Sequence, residues 1–216
     1  MRTFLKIPFL PVLLGVLLLA GCGGKDDGAA TEEKGALDKL TEAAENMKTM
    51  AEEMSSDTYA NREPQPPVSF RVLLTYLPEQ IDDMKKENPR GETSTMGEWT
   101  YSSASADYKG PEGKSARVEL LDYAYIGMLY APVRMWLKMK IDRESTEGFE
   151  RTTEVAGYPA YEKWDISSEH AEVTVLVGDR FIINIDTRKM PENMPREIAQ
   201  TMRLEKLAME KGQPPA

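Results

Sequence analysis

The two side chains that most often act as nucleophile, general base or soft metal ligand each occur once in the 216 residues, as Cys22 and His170. Cys22 ends the stretch Leu19-Ala20-Gly21-Cys22, directly behind an apolar run. His170 lies in Ser-Ser-Glu-His-Ala-Glu, between two predicted strands. A general base or metal ligand needs partners that converge on it. With no second His and no other Cys in the chain, His170 reads as a solvated turn residue. No Gly-x-Ser-x-Gly elbow, phosphate loop, dinucleotide fingerprint or His-Glu-x-x-His helix follows Cys22. The paired acids Glu52-Glu53 and Asp82-Asp83 are chain neighbours whose side chains point apart, so they read as solvated charge. No catalytic residue, metal ligand or cofactor is expected.

Methionine offers a different chemistry. Of the 13 Met, Met47, Met50 and Met54 share one predicted helix and Met128, Met135 and Met139 surround another. Thioethers bind Cu(I), and Met47 and Met50 stand three apart, close enough to face one ion. Met is also a flexible filler of cores, and a heptad register accounts for Met47 and Met54. The densest aromatic group is Gly157-Tyr158-Pro159-Ala160-Tyr161 with Trp164. Pro159 keeps Tyr158 extended, so Tyr158, Tyr161 and Trp164 are the candidate lining of a groove for sugar or peptide. The competing reading is that they pack the edge of a sheet.

Ahead of Cys22 stand Arg2 and Lys6, then an apolar run over 7–19. About a dozen residues fall short of the roughly 20 that a helix needs to cross a hydrocarbon core of about 30 Å. The segment therefore reads as a signal peptide over 1–21. Leu19-Ala20-Gly21-Cys22 resembles the bacterial lipobox at all four positions. That resemblance implies a lipoprotein: a diacylglyceryl group on the Cys22 sulfur, cleavage before it, and acylation of the new amino terminus. Each buried methylene contributes about 0.8 kcal/mol, and two or more chains anchor durably where one is marginal. Gly23, in place of Asp, resembles the outer-membrane sorting pattern of Gram-negative bacteria; a Gram-positive source would place the domain outside the cytoplasmic membrane.

Loss of the signal removes two cations and no acid, leaving 25 Lys and Arg against 36 Asp and Glu, a formal charge of −11. Nucleic acid and anionic headgroups are poor partners for such a chain. With Cys22 given to lipid, the domain stands without disulfides.

Residues 22–31 form a polar, Gly- and Ala-rich spacer. Over 32–57, Leu37, Leu40, Ala44, Met47, Ala51 and Met54 alternate spacings of three and four, giving a short amphipathic helix that either associates as a stalk or lies on the domain. The Pro-rich linker 58–67 marks a boundary. One domain follows over 68–211, with a disordered tail over 212–216.

Within that domain Phe70, Leu73, Leu74 and Leu77 have helical spacing, with Ser69 as N-cap and Pro78 as terminator. Residues 79–95 read mainly as a loop, with Ile81 and Met84 anchoring one helical turn. Period-2 stretches over 97–108 and 115–124 flank Lys109-Gly110-Pro111-Glu112-Gly113-Lys114, a hairpin signature. The first, rich in Ser and Ala, is expected to be only partly covered. A second core helix over 127–142 carries Leu129, Val133, Trp136, Leu137 and Lys140 at helical spacing, and Pro132 is tolerable there only in the first turn. Strands over 149–155, 158–166, 172–177 and 180–186 form an antiparallel meander. Val173, Val175 and Val177 alternate against Phe181, Ile183 and Ile185 on one face, while Leu176, Ile182 and Asn184 take the other. A last helix over 195–211 carries Ile198, Met202, Leu204 or Glu205, and Met209 along one side.

The stretch from Gly157-Tyr158-Pro159-Ala160 through the Gly178-Asp179-Arg180 hairpin to the closing helix resembles the last part of PsbP and Mog1-like domains. That likeness implies an antiparallel sheet flanked by helices, serving as a binding or assembly module. The expected fold is α+β, a mainly antiparallel sheet of about six strands with helices packed on it, preceded by a short amphipathic helix. The expected role is a non-catalytic accessory or binding lipoprotein of the cell envelope, held to the membrane through Cys22 and contacting an envelope protein. A small-solute or copper-binding lipoprotein is the alternative, and an envelope hydrolase without a recognisable motif is third.

Overall fold

The computed structural model describes residue 63 and residues 65–212. The signal peptide, Cys22, the spacer, the amphipathic helix, most of the Pro-rich linker and the tail beyond residue 212 lie outside the described residues.

Among the described residues the first element is α1 (Phe70–Leu73), capped by Ser69 Oγ accepting from Arg71 N at 3.3 Å. A single 3-10 turn (Leu74–Tyr76) follows. The strands β1 (Gln80–Ile81), β2 (Met84–Met96), β3 (Trp99–Lys109) and β4 (Ser115–Asp122) then form a meander. The helix α2 (Gly127–Lys138) crosses to the far edge. From there β5 (Asp142–Ser145), β6 (Gly148–Val155), β7 (Tyr158–Asp165), β8 (His170–Val177) and β9 (Phe181–Arg188) meander back. Two short helices close the chain, α3 (Met194–Thr201) and α4 (Leu204–Ala208). The result is α+β: a nine-stranded antiparallel sheet in the order β1-β2-β3-β4-β9-β8-β7-β6-β5, with short helices. The two meanders meet at its centre, where β4 pairs with β9.

All six expected strands are present, and the hairpins join as expected. The three added strands, β1, β2 and β5, stand at the two edges of the sheet. Residues 79–95 are therefore strand and not loop. Ile81 and Met84 are buried, but they flank a tight turn at Asp82 (φ 53°) and do not lie on one helical turn. Most of β2 is exposed on both faces, so its sequence carries no apolar alternation to read. Pro89 sits in a break of register between Glu87 and Arg90, where a missing N–H costs no ladder bond.

One face of the sheet carries the core. Alternation brings Val118, Leu120, Val173, Val175, Phe181, Ile183 and Ile185 together, and Ala104, Ala106 and Tyr108 of β3 join them. The strand β3 is thus well covered, its small residues allowing close approach of α1. Leu73 and Leu77 cover this face at one end, and Ile198, Ala199, Met202, Leu204 and Leu207 at the other. The expected single closing helix is broken at Arg203, whose backbone is left-handed (φ 53°, ψ 50°). The break turns Leu204 and Leu207 inward and leaves Met209 72% exposed. It also lets Arg203 Nη2 donate to Thr75 O at 2.6 Å.

Among the described residues, the other face is covered only in part. Leu176 and Ile182 pack with Leu121, Tyr123 and the α2 residues Val133 and Leu137, a much smaller cluster than the first. The helix expected to belong to the core therefore lies outside it and ends at Lys138, giving way to β5 at Asp142. The side chains of Met128, Leu129 and Pro132 lie outside the described residues.

One acid sits among the core positions of β4. Asp122 is wholly buried, and its carboxylate accepts four hydrogen bonds: from Arg180 Nε and Nη2, both at 2.8 Å, from Val68 N at 2.7 Å and from Ala124 N at 2.8 Å. Arg180 Nη2 also donates to Pro66 O at 3.0 Å, and the rings of Phe181 and Tyr125 flank the guanidinium. Every lone pair that burial strips of water is thereby re-engaged.

Asp122→Asn leaves a buried guanidinium without its counter-charge. Urea unfolding is expected to show a loss of about 3–5 kcal/mol. Asp107→Asn, at an exposed ion pair, should cost no more than about 1 kcal/mol. Similar losses in the two variants would show that the buried pair is not special. A second outcome concerns alkali. Burial pushes the Tyr76 and Tyr161 phenols up to about 12, Tyr76 also through its hydrogen bond to Glu210. The neutral phenol favours the folded chain, so this contribution is complete below the ordinary value near 10 and is lost as pH rises toward 12. Denaturant midpoints should fall over that interval, and less so in Tyr76→Phe. A flat profile would contradict it.

Candidate functional site

The three aromatic candidates do not converge. Successive residues of a strand point to opposite faces. On β7 that rule places Tyr158 and Trp164 with the main core face and Tyr161 on the other. Tyr158 packs against the core cluster. Tyr161 is buried beneath α2, its ring centroid 3.8 Å from that of Trp136. Trp164 lies opposite Phe149 and lines an open groove of about 320 Å³ with Phe149, Gly148 and Arg143, without either tyrosine. Of the methionines, Met135 and Met139 are partly exposed at the C-terminal part of α2, while Met47, Met50 and Met54 lie outside the described residues.

His170 is not a solvated turn residue. It opens β8, its side chain is 17% exposed, and its Nε2 stands 3.3 Å from both Glu172 Oε1 and Asp186 Oδ1. Glu172 follows His170 by two residues and so shares its face, while Asp186 lies directly opposite Glu172 on β9. The sequence separation of 16 between His170 and Asp186 hid this meeting.

The cluster belongs to a longer pattern. Reading across seven strands along one row of register partners gives Asp107, Arg117, Asp186, Glu172, Lys163, Glu150 and Arg143. Charge alternates at every step except the central one. There Asp186 faces Glu172, and two like charges directly opposite each other are unfavourable. The imidazole of His170 stands between them. The row is tied by Arg90 and Arg117 to Asp107 at 3.0 and 3.3 Å, and by Arg143 to Glu150 at 3.5 Å. Beside it, Asn184 takes a hydrogen bond from Thr174 at 3.0 Å. Asp165, which faces His170 across β7 and β8, has its carboxyl lowered to about 2 by hydrogen bonds from the Ser167 hydroxyl and the Ser168 amide. It therefore adds a fixed negative charge to the surroundings of the imidazole.

Two shallow grooves flank the row and share Arg117. One, of about 330 Å³, runs along Asp107, Arg117, Asp186 and Arg188; the other, of about 240 Å³, along Arg90, Glu92, Ser103 and Glu119. Together they make an accessible area edged by charged side chains on the part of the second face that α2 leaves uncovered among the described residues. Chemically, the row offers charge-complementary contact along its length and a three-donor cluster at its centre. Among the described residues, His170, Glu172 and Asp186 are the group of His, Cys, Asp and Glu whose donor atoms converge within 4.8 Å.

In double-mutant cycles on the chain without added metal, Glu172 and Asp186 should couple unfavourably by a few tenths to about 1 kcal/mol, and Glu172 and Lys163 favourably by a similar amount. Opposite signs in thermal melts are the expected outcome; equal signs would contradict the pattern.

No family model matches the chain, and no curated protein or solved structure matches it either.

Proposed function

We propose that this chain is a lipid-anchored protein of the bacterial cell envelope that works by contact and not by catalysis, as a binding or accessory module. Leu19-Ala20-Gly21-Cys22 supports the anchor, and Gly23 supports the outer membrane, facing the periplasm, for a Gram-negative source. Lipid on Cys22 then does what no described helix is long and apolar enough to do.

The observation that carries the contact reading is the division of the sheet's second face. One half is packed under α2; the other presents the charged row and its two grooves. Surface charge pairs stabilise a fold little, about 0–1 kcal/mol each. A row ordered across seven strands is better suited to recognising a partner with complementary charge, where it sets register and speed of encounter. The partner in this reading is an envelope protein; the formal charge of −11 that remains once the signal is removed argues against nucleic acid.

A photo-crosslinking residue at position 117, tested in native membranes, should give a discrete protein adduct. The same residue at position 209, on the opposite side of the sheet, should give none. Adducts of equal yield at both positions, or at neither, would overturn the reading. Separately, Cys22→Ser should abolish lipid labelling and release the protein from membranes. Unchanged membrane association, with no lipid on the parent chain, would sink the anchor.

A further inference from the structure

The geometry points to a site for one divalent first-row transition ion, of the Zn²⁺ type, held by His170 Nε2, Glu172 Oε1 and Asp186 Oδ1. This goes beyond the contact reading and does not depend on it.

Imidazole nitrogen and carboxylate oxygen are the donors such ions accept, and three of them with a position left open is a recurring arrangement. Bonds of about 2.1 Å place neighbouring donors of a tetrahedron about 3.4 Å apart. Two of the three edges here, from the imidazole nitrogen to each carboxylate, are 3.3 Å, and all three donors fall within 4.8 Å of one another. As hydrogen bonds the same contacts are poor. A charge-assisted N–H to carboxylate bond closes to about 2.7–2.9 Å, as Arg180 does on Asp122, whereas His170 is spread evenly over two acceptors.

The second observation is independent of those distances. The charged row alternates on both sides of the centre and fails to alternate only where Asp186 faces Glu172. A cation of charge two at that step restores alternation across the whole row. Asp165 across from His170 adds further negative potential. Access is open, because Glu172 and Asp186 are 39% and 45% exposed and the groove of about 330 Å³ begins at Asp186. The backbone needs no rearrangement, since all three donors rise from paired strands, which are more rigid platforms than loops.

The test is a titration of the full chain carrying Cys22→Ser, which removes the one competing thiol, with ZnCl₂ by calorimetry, and with Co²⁺ by absorption and proton NMR. One Zn²⁺ per chain should bind, Mg²⁺ should not compete, and the signals of the single imidazole should shift with Zn²⁺ and show paramagnetic displacement with Co²⁺. His170→Ala should weaken Zn²⁺ binding by about 100-fold or more, and Asp186→Asn by at least about 10-fold. Circular dichroism of both metal-free variants should match the parent, because all three side chains are partly exposed. The proposal fails if Zn²⁺ does not saturate, if the imidazole signals stay fixed, if Mg²⁺ competes equally, or if binding survives His170→Ala. Survival of binding there with loss in Met variants would assign the metal to thioethers instead. Failure of this titration leaves the crosslinking outcome at position 117 untouched, so the two readings are separable.

Discussion

The carboxylate of Asp122 is the constraint from which the rest of this fold can be followed. It sits at the end of β4, its partner Arg180 is the turn residue just before β9, and Asp122 is itself the register partner of Phe181. A bidentate pair at that point fixes how the two meanders are joined, because a slip by one residue would break both hydrogen bonds and turn every side chain of β9 to the wrong face. Removing one partner would strand a buried charge, a loss of several kcal/mol against a total stability of about 5–15 kcal/mol. The same carboxylate holds Val68 and Ala124, and Arg180 holds Pro66, so the segment leading into the domain and the turn leaving β4 are set by one group. That turn places Ala124 and Tyr125 in left-handed backbone, each costing on the order of 1–3 kcal/mol, and the buried hydrogen bonds offset it.

Register then decides what meets on each face. With Asp122 against Phe181, Leu120 meets Ile183 and Val118 meets Ile185 inside the core, and on the other face Arg117 meets Asp186. The β8 and β9 hairpin extends the count to Glu172 and, two residues earlier on the strand, to His170. The apolar face and the charged row are thus two consequences of one alignment. Their energetic weights differ. Each buried Ile, Val or Phe of the core is worth about 1.5–3 kcal/mol, whereas exposed pairs in the row are worth about 0–1. The core holds the fold, and the row contributes little to its stability.

Legibility in the sequence followed the same division. Strands with one buried face announce themselves by alternation, and β4, β8 and β9 were readable residue by residue, down to Val173, Val175 and Val177 facing Phe181, Ile183 and Ile185. The edge strands β2 and β5 bury almost nothing, and nothing in their residues distinguishes them from a loop. The break at Arg203 escaped because Ile198 and Met202 fit an unbroken helix as well as a broken one; only Leu204 and Leu207, at odds with Met209, hinted otherwise. Two acids carried a signal that could have been used. Asp122 and Glu162 stand at core parity in apolar strands, positions where a carboxylate must find cations, as Glu162 finds Arg151 and Arg196. The meeting of His170 with Asp186 needed the register of a hairpin, and the aromatic grouping dissolved once the parity of β7 separated Tyr161 from Tyr158 and Trp164.

One alignment, pinned at Asp122 and Arg180, brings the side chains of His170, Glu172 and Asp186 together at the proposed ion site. A crystal structure of the chain grown with Zn²⁺, with anomalous data collected on both sides of the zinc edge, tests it most directly. The expected result is one strong anomalous peak bonded to His170 Nε2 and to a carboxylate oxygen from each of Glu172 and Asp186, with Asp122 bidentate on Arg180. A peak elsewhere, no peak, or Asp186 displaced from its place opposite Glu172 would contradict it.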